Sequence, residues 1–242
     1  IVPRGVVINS RAGLRYHTEI GYRPRRWILI PNGVDTDNFR PRPHARRDLL
    51  AELSLPESDE PLLIGYVARF DPMKDHVTFI RAAREFVNTG YNAHFVLCGT
   101  DMLWSNRELK LLIDAQELRP RVHLLGPRRD IENITAGLDW AVSASLSEGF
   151  PNTVVEAMSA GVPCVVTDVG DSAEIVADTG LIVSPGDAAQ MVAAWSELAA
   201  AGAAHRHSLG EMARQRVSEN YSQDKMIQAY EELYAQHGGA AE

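Results

Sequence analysis

From residue 61 onward the chain alternates short apolar runs with stretches of helical periodicity, and this alternation restricts the fold more than any other feature of the sequence. The apolar runs fall at 62–68, 93–99, 122–126, 139–143, 163–168 and 181–184, lengths that suit strands. Between them, helical patterns are predicted over 76–88, 108–118, 131–136 and 153–160. Strands joined by crossover helices lie parallel in one sheet that the helices cover. The expected fold class is therefore α/β, a Rossmann-like parallel sheet with helices on both faces. Beyond residue 184 the chain turns through Pro185, Gly186 and Asp187 into helices predicted at 188–201, 209–220 and 223–234.

Ligands of such sheets bind outside the carboxyl ends of the strands. Those ends carry the residues of most chemical interest: Arg69 after the first strand, Gly99 after the second, 126–130 after the third and 145–152 after the fourth. The richest stretch is SLSEGFPNTVVEAMSAGVP, 145–163. Asn152 is predicted to cap a helix over 153–160 that Gly161 and Pro163 terminate. The start of that helix offers unpaired N–H groups and a positive dipole end, which favour an anion such as phosphate. Gly149 allows close approach of the backbone. Glu148 lies in the loop and Glu156 in the helix, with seven residues between them. An isolated Glu is usually solvated. Glu156, however, sits among Val154, Val155, Ala157, Met158 and Ala160, and a carboxylate on so apolar a helix requires a polar partner. In GYVARFDPMKDH, Arg69 and Lys74 flank the turn formers Asp71 and Pro72, so the two cations can grip a diphosphate, the Arg as a fork and the Lys as a point charge.

Composition removes several function classes. A net charge of -8 and a pI near 5.5 argue against nucleic acid as a partner. Neither G-x-x-x-x-G-K-[ST] nor a strand-linked G-x-G-x-x-G occurs, which disfavours a P-loop nucleotidase or an ordinary dinucleotide dehydrogenase. None of the eight His forms a zinc-ligand spacing, so no metal site is expected, and no nucleophile elbow is present. Cys98 and Cys164 lie in apolar strand runs and read as buried free thiols. With no apolar run long enough to span a membrane and no signal peptide, the expected location is cytoplasmic. The chain opens at Ile1, without a methionine and just before a strand-like segment, 6–9, and is expected to be a fragment lacking its amino-terminal part. Residues 40–61, rich in Pro and charge, read as a linker with a short helix; residues 1–40 are assigned to a separate unit and 41–242 to the main domain.

The motifs also carry a resemblance. PNGVD (31–35), Arg69 with Lys74, LGPRRD (125–130), EGFPNTVVE (148–156), AGVP (160–163) and GLIVSPGD (180–187) follow the order seen in retaining glycosyltransferases of the GT-B fold, family 4. The chain resembles their carboxyl-terminal, nucleotide-sugar-binding half, with residues 1–30 similar to the end of the acceptor domain. The resemblance implies transfer of a sugar from a UDP-, GDP- or ADP-sugar to an acceptor glycan, lipid-linked sugar or small molecule bound by the missing amino-terminal domain. It implies that Arg69 and Lys74 hold the diphosphate and that Glu148 contacts the sugar. Gly149, Phe150, Pro151, Asn152 and Thr153 form the loop whose amides meet sugar and phosphate, Glu156 binds the ribose, and Arg129 with Asp130 borders the base. No metal or other cofactor is then required. Ala68 and Asp75 stand where the family often has Gly. By the same resemblance the chain alone binds nucleotide weakly and transfers nothing, and the full-length enzyme could touch a membrane surface. A GT-B epimerase or hydrolase and a non-catalytic nucleotide-sugar-binding module are the alternatives.

Overall fold

A computed structural model describes residues 5–238. The first four residues of the expected 1–40 unit and the last four of the expected main domain lie outside the described residues. Near the amino end, β1 (Val6–Ile8) and β2 (Trp27–Leu29) form a parallel pair joined by α1 (Arg11–Glu19). The main sheet contains β3 (Leu62–Val67), β4 (Ala93–Cys98), β5 (Val122–Gly126), β6 (Trp140–Ser143), β7 (Cys164–Thr167) and β8 (Leu181–Val183). Its order is β5-β4-β3-β6-β7-β8, and every pairing is parallel. The α/β reading and all six strands of the alternation are thus borne out.

Neighbouring strand residues point to opposite faces, and each face has its own core. Ile64, Phe95, Leu97, Trp140 and Val165 pack with Phe79, Phe86 and Trp195 on one side; Leu63, Val96, Cys98, Cys164 and Val166 pack with Leu49, Ile134, Met158 and Val217 on the other. The helices supplying those side chains are α3 (His76–Asn88), α4 (Arg107–Ala115) and the first part of α8 (Ala188–Asn220) on the first face. On the second are α2 (Ala45–Glu52), α5 (Ile131–Ala136), α6 (Asn152–Ser159), α7 (Ser172–Val176) and the end of α8, while α9 (Gln223–Gly238) closes the chain. Both cysteines are buried free thiols, and burial pushes Cys98 up to about 11 and Cys164 up to about 12.

Several boundaries depart from the sequence reading for identifiable reasons. The helix expected to reach 118 ends at Ala115, because Glu117 turns into left-handed backbone at φ 50° and Leu118 bonds back to Ile113 at 3.1 Å. The helices expected at 188–201 and 209–220 are present as two helices that meet at Gly202, whose φ of 81° and ψ of 172° are not helical, and the second begins earlier than expected. Residues 203–208 remain helical, and Arg206 fixes them by donating to Leu198 O at 3.1 Å and to Asp139 Oδ1 at 3.0 Å. The last helix runs to 238 rather than 234, and α7 has no counterpart in the reading.

Candidate functional site

The order of the strands sets where a ligand can sit. From β3 the chain moves outward through β4 and β5, then returns past β3 to build β6, β7 and β8 on the other side. The loops leaving β3 and β6 therefore diverge to opposite faces and open a crevice between them. Two hydrogen-bonded links join these loops. Lys74 Nζ forms an ion pair with Glu148 Oε1, and Leu146 N donates to Met73 O at 2.8 Å. Ser145 Oγ, fully buried, donates to the same Glu148 oxygen at 2.7 Å. Tyr66 rises from β3 to donate its hydroxyl to Lys74 O, so the Lys backbone is fixed from below. Burial raises the Tyr66 pKa and keeps that donor in place.

Arg69 is on the rim, two-thirds exposed, with Nε 3.0 Å from Asp71 Oδ2. Asp71 also accepts from Met73 N at 2.9 Å, and that backbone bond, followed by Arg69, holds its carboxyl below the usual range. Asp75 adopts left-handed backbone (φ 47°, ψ 55°) and caps α3 by accepting from Thr78 N at 3.1 Å. It thus takes the conformation that glycine adopts freely, while its carboxylate secures the helix. Ala68 continues the strand, donating to Cys98 O at 2.9 Å; the close approach falls to Gly99, where a Cβ would lie 2.1 Å from Ala68 O.

The expected cap at Asn152 is corrected. Pro151 occupies the cap position at φ -81° and Asn152 is the first residue of α6; its Oδ1 instead accepts from Asn32 Nδ2 at 2.9 Å. The entry angle comes from the proline ring. Helix α6 still presents its start toward the loop, and the N–H groups of Asn152 and Thr153, both exposed, have no intrahelical acceptor. Phe150 packs edge-on against Tyr221 with ring centroids 5.8 Å apart. Gly149 O accepts from Asp171 N at 3.1 Å, and Gly170 (φ 62°) admits no side chain, since a Cβ there would lie 2.5 Å from Glu148 O. The Glu148 loop is thereby pressed against the loop that follows β7.

Glu156 is half-buried on α6, and its carboxylate makes no hydrogen bond or ion pair among the described residues; burial raises its pKa. The partner that so apolar a helix requires is therefore not another side chain of the described residues.

Arg129 and Asp130 stand apart, on the loop after β5 at the far edge of the sheet. Arg129 is exposed, and no hydrogen bond links either residue to the Lys74 and Glu148 cluster. Asp130 is occupied by Arg128, which donates Nε and Nη2 to its two oxygens at 2.8 Å each and also pairs with Glu52 on α2. Those hydrogen bonds, Asp130 first, push the Arg128 pKa up and the Asp130 pKa down. Arg128 is the residue sequence reasoning missed: LGPRRD presents two adjacent arginines, and the Glu52 that distinguishes them is 76 positions away.

The two loops thus join through Lys74 and Glu148 at the switch point of an open parallel sheet, with Arg69 on the rim of the first loop and the start of α6 at the end of the second, the architecture of an α/β domain that takes its ligand at the strand ends. The chain belongs to the glycosyl transferases group 1 family, whose model matches residues 61–201. It is 32% identical over 153 residues to the UDP-Gal:alpha-D-GlcNAc-diphosphoundecaprenol alpha-1,3-galactosyltransferase of Escherichia coli, covering 62% of this chain and 39% of the relative. It is 28% identical over 198 residues to the N-acetyl-alpha-D-glucosaminyl L-malate synthase of Bacillus anthracis, covering 80% of this chain and 50% of the relative. The chain therefore spans half or less of the length of these curated relatives. Among solved structures, Anabaena HepE in complex with UDP-glucose superimposes with a TM-score of 0.86 at 23% identity, over 96% of this chain and 64% of that one. The fold expected of one half of a GT-B enzyme is borne out.

Proposed function

We propose that this chain is the donor-binding part of a retaining glycosyltransferase, which takes a sugar from a nucleotide diphosphate sugar and delivers it to a glycan, lipid-linked or small-molecule acceptor. The observation that carries the reading is the Lys74–Glu148 pair between the loops after β3 and β6. Each cation of the crevice already has a resident acid: Asp71 for Arg69 and Glu148 for Lys74. An incoming diphosphate replaces those acids as the partner of both cations, which frees Glu148 for the hydroxyls of the sugar. The amides of Asn152 and Thr153, with Gly149, Phe150 and Pro151 shaping their approach, face the same phosphates. As the bond from sugar to diphosphate breaks, negative charge grows on the departing oxygen, and these preorganised donors stabilise it. The Glu156 carboxylate accepts from the ribose hydroxyls, and Arg129 with Asp130 borders the base. Support for a nucleotide-sugar donor comes from the UDP-glucose in the HepE structure and from the UDP-Gal in the name of the E. coli relative.

Residues 1–40 belong, in this reading, to the end of an acceptor domain, and 41–242 to the donor domain. The pair β1 and β2 supports the division, since two parallel strands are too few to stand as an independent sheet. Among the described residues no helix is long and apolar enough to cross a membrane. We place the enzyme in the cytoplasm, with membrane contact through its other half where the acceptor is lipid-linked.

The test is calorimetric titration of the chain with UDP, GDP and ADP and their glucose conjugates. Arg69→Ala and Lys74→Ala are each expected to weaken nucleoside diphosphate binding by about 1.5–3 kcal/mol, the range for hydrogen bonds to charged groups. Unchanged affinity in both variants removes the crevice from donor binding.

A further inference from the structure

We propose that Asp171 is a positioning residue that latches helix α1 onto the Glu148 loop, so that the segment carrying α1 sets the shape of the donor-sugar side of the crevice. Asp171 lies on the loop after β7 and is 8% exposed. Its two carboxylate oxygens accept from the first two amides of α1: Oδ2 from Arg11 N at 2.7 Å and Oδ1 from Ala12 N at 2.8 Å. Both oxygens are thus spent on the orphan donors and positive end of a helix that belongs to the opposite end of the chain. The Ser10 side chain satisfies a third amide, Gly13 N, at 3.0 Å, so the start of α1 is fully engaged.

The same residue reaches the crevice through its backbone. Asp171 N donates to Gly149 O at 3.1 Å. Ser10 completes a second route, for its Oγ lies 3.4 Å from where a Cβ of Gly149 would stand. Gly170, immediately before Asp171, is in contact with the Glu148 backbone. A continuous chain of contacts therefore runs from α1 through Asp171 to Gly149 and Glu148, and from Glu148 to Lys74. Residues 11–19 fall in the segment assigned above to the acceptor domain, so the consequence for catalysis rests on that reading. In the whole enzyme the latch makes the geometry around Glu148 depend on where the acceptor half sits.

Amide exchange of the 242-residue chain by mass spectrometry tests the coupling. Two substitutions at one position separate the latch from the exposed ion pair of Arg11 with Glu174. Arg11→Ala removes that pair and keeps the amide. Arg11→Pro removes the amide as well, at a helix position where proline fits, after a residue in extended backbone (Ser10, φ -147°, ψ 146°). Arg11→Pro and Asp171→Asn are expected to speed exchange over 146–152 about tenfold, while Arg11→Ala leaves it unchanged and β3 to β7 stay protected in all. Faster exchange confined to α1, or the same result for Arg11→Ala and Arg11→Pro, overturns the proposal. Should Asp171→Asn fail to fold, the two Arg11 variants decide alone. In the donor arm, Asp171→Asn is expected to lose the wild-type difference in affinity between UDP-glucose and UDP and to keep affinity for UDP. A wild-type chain that binds none of UDP, GDP or ADP sinks the donor reading, while the exchange result still decides the latch.

Discussion

Glu156 carries a charge that no other side chain of the described residues compensates. Burial lifts its carboxyl above the ordinary 4.5, which means that the folded state favours the neutral form. The ionised form at neutral pH therefore burdens the fold, and the burden is relieved as pH falls through the folded pKa toward 4.5. Glu156→Gln is expected to raise stability in urea by about 1 kcal/mol, as removal of an unpaired half-buried charge should. The same substitution is expected to weaken nucleoside diphosphate binding by roughly 1.5–3 kcal/mol. Opposite signs in the two measurements mark a residue kept for its ligand; a loss in both marks one kept for the fold. At this scale the sequence points to the side chains of the proposed site, because Arg69, Lys74, Glu148 and Glu156 sit where strand ends and helix starts are readable. It does not show who pairs with whom: Lys74 and Glu148 are 74 positions apart, and Arg128 with Glu52 is farther still.

Among the elements, α3 depends on one unusual residue. Asp75 combines left-handed backbone with a side-chain cap, so two substitutions separate the contributions. Asp75→Ala loses the cap and strains the backbone, for an expected cost of about 2 kcal/mol. Asp75→Gly loses only the cap and relaxes the backbone, for an expected cost of a few tenths of a kcal/mol. Chemical denaturation checks both, and an equal cost would mean that the left-handed turn contributes nothing. Sequence periodicity located α3 and α5 to the residue, since Asp75 and Asp130 precede clear apolar patterns and Gly137 follows the second. It misassigned the start of α6 because Pro151 and Asn152 are both plausible entry residues, and Asn32, which draws the Asn152 side chain away, is 120 positions off. The division of 188–220 into two helices is borne out at Gly202, and the second starts earlier than the local pattern implies because Arg206 is held by Asp139, 67 positions away.

For the whole molecule, acid should loosen the sheet through buried histidines on both sides of β4. His76 stacks on Tyr66 at 5.0 Å beneath the Arg69 loop, and burial drives its pKa down to about 4. His94 is likewise lowered to about 4, by burial first and then by His123 and Arg121. Arg121 can only donate, so His94 Nε2 accepts at 3.1 Å and Nδ1 carries the proton shared with His123 Nε2 at 3.0 Å. Both folded values lie below the ordinary 6.5, so the stability that neutral imidazole provides is present above 6.5 and is lost as pH falls from there toward 4. Urea midpoints are expected to drop across that window, and His76→Phe is expected to remove part of the drop. A midpoint unchanged between these pH values would contradict the assignment. The parallel sheet and its two cores were legible because they rest on local runs of residues. The crevice was legible as a rim but not as a cluster, because the switch between β3 and β6 is a property of strand order, which no local pattern encodes.

The central claim is that a nucleotide diphosphate sits in the crevice between the loops after β3 and β6. Titrating the isotope-labelled chain with UDP, GDP and ADP while following its backbone amides by NMR tests this most directly. The account predicts that the largest shifts fall at 69–75, 146–156 and 126–131, and that they are lost in Lys74→Ala. Shifts centred instead on the opposite pole of the sheet, around Asp139 and Arg206, would contradict it.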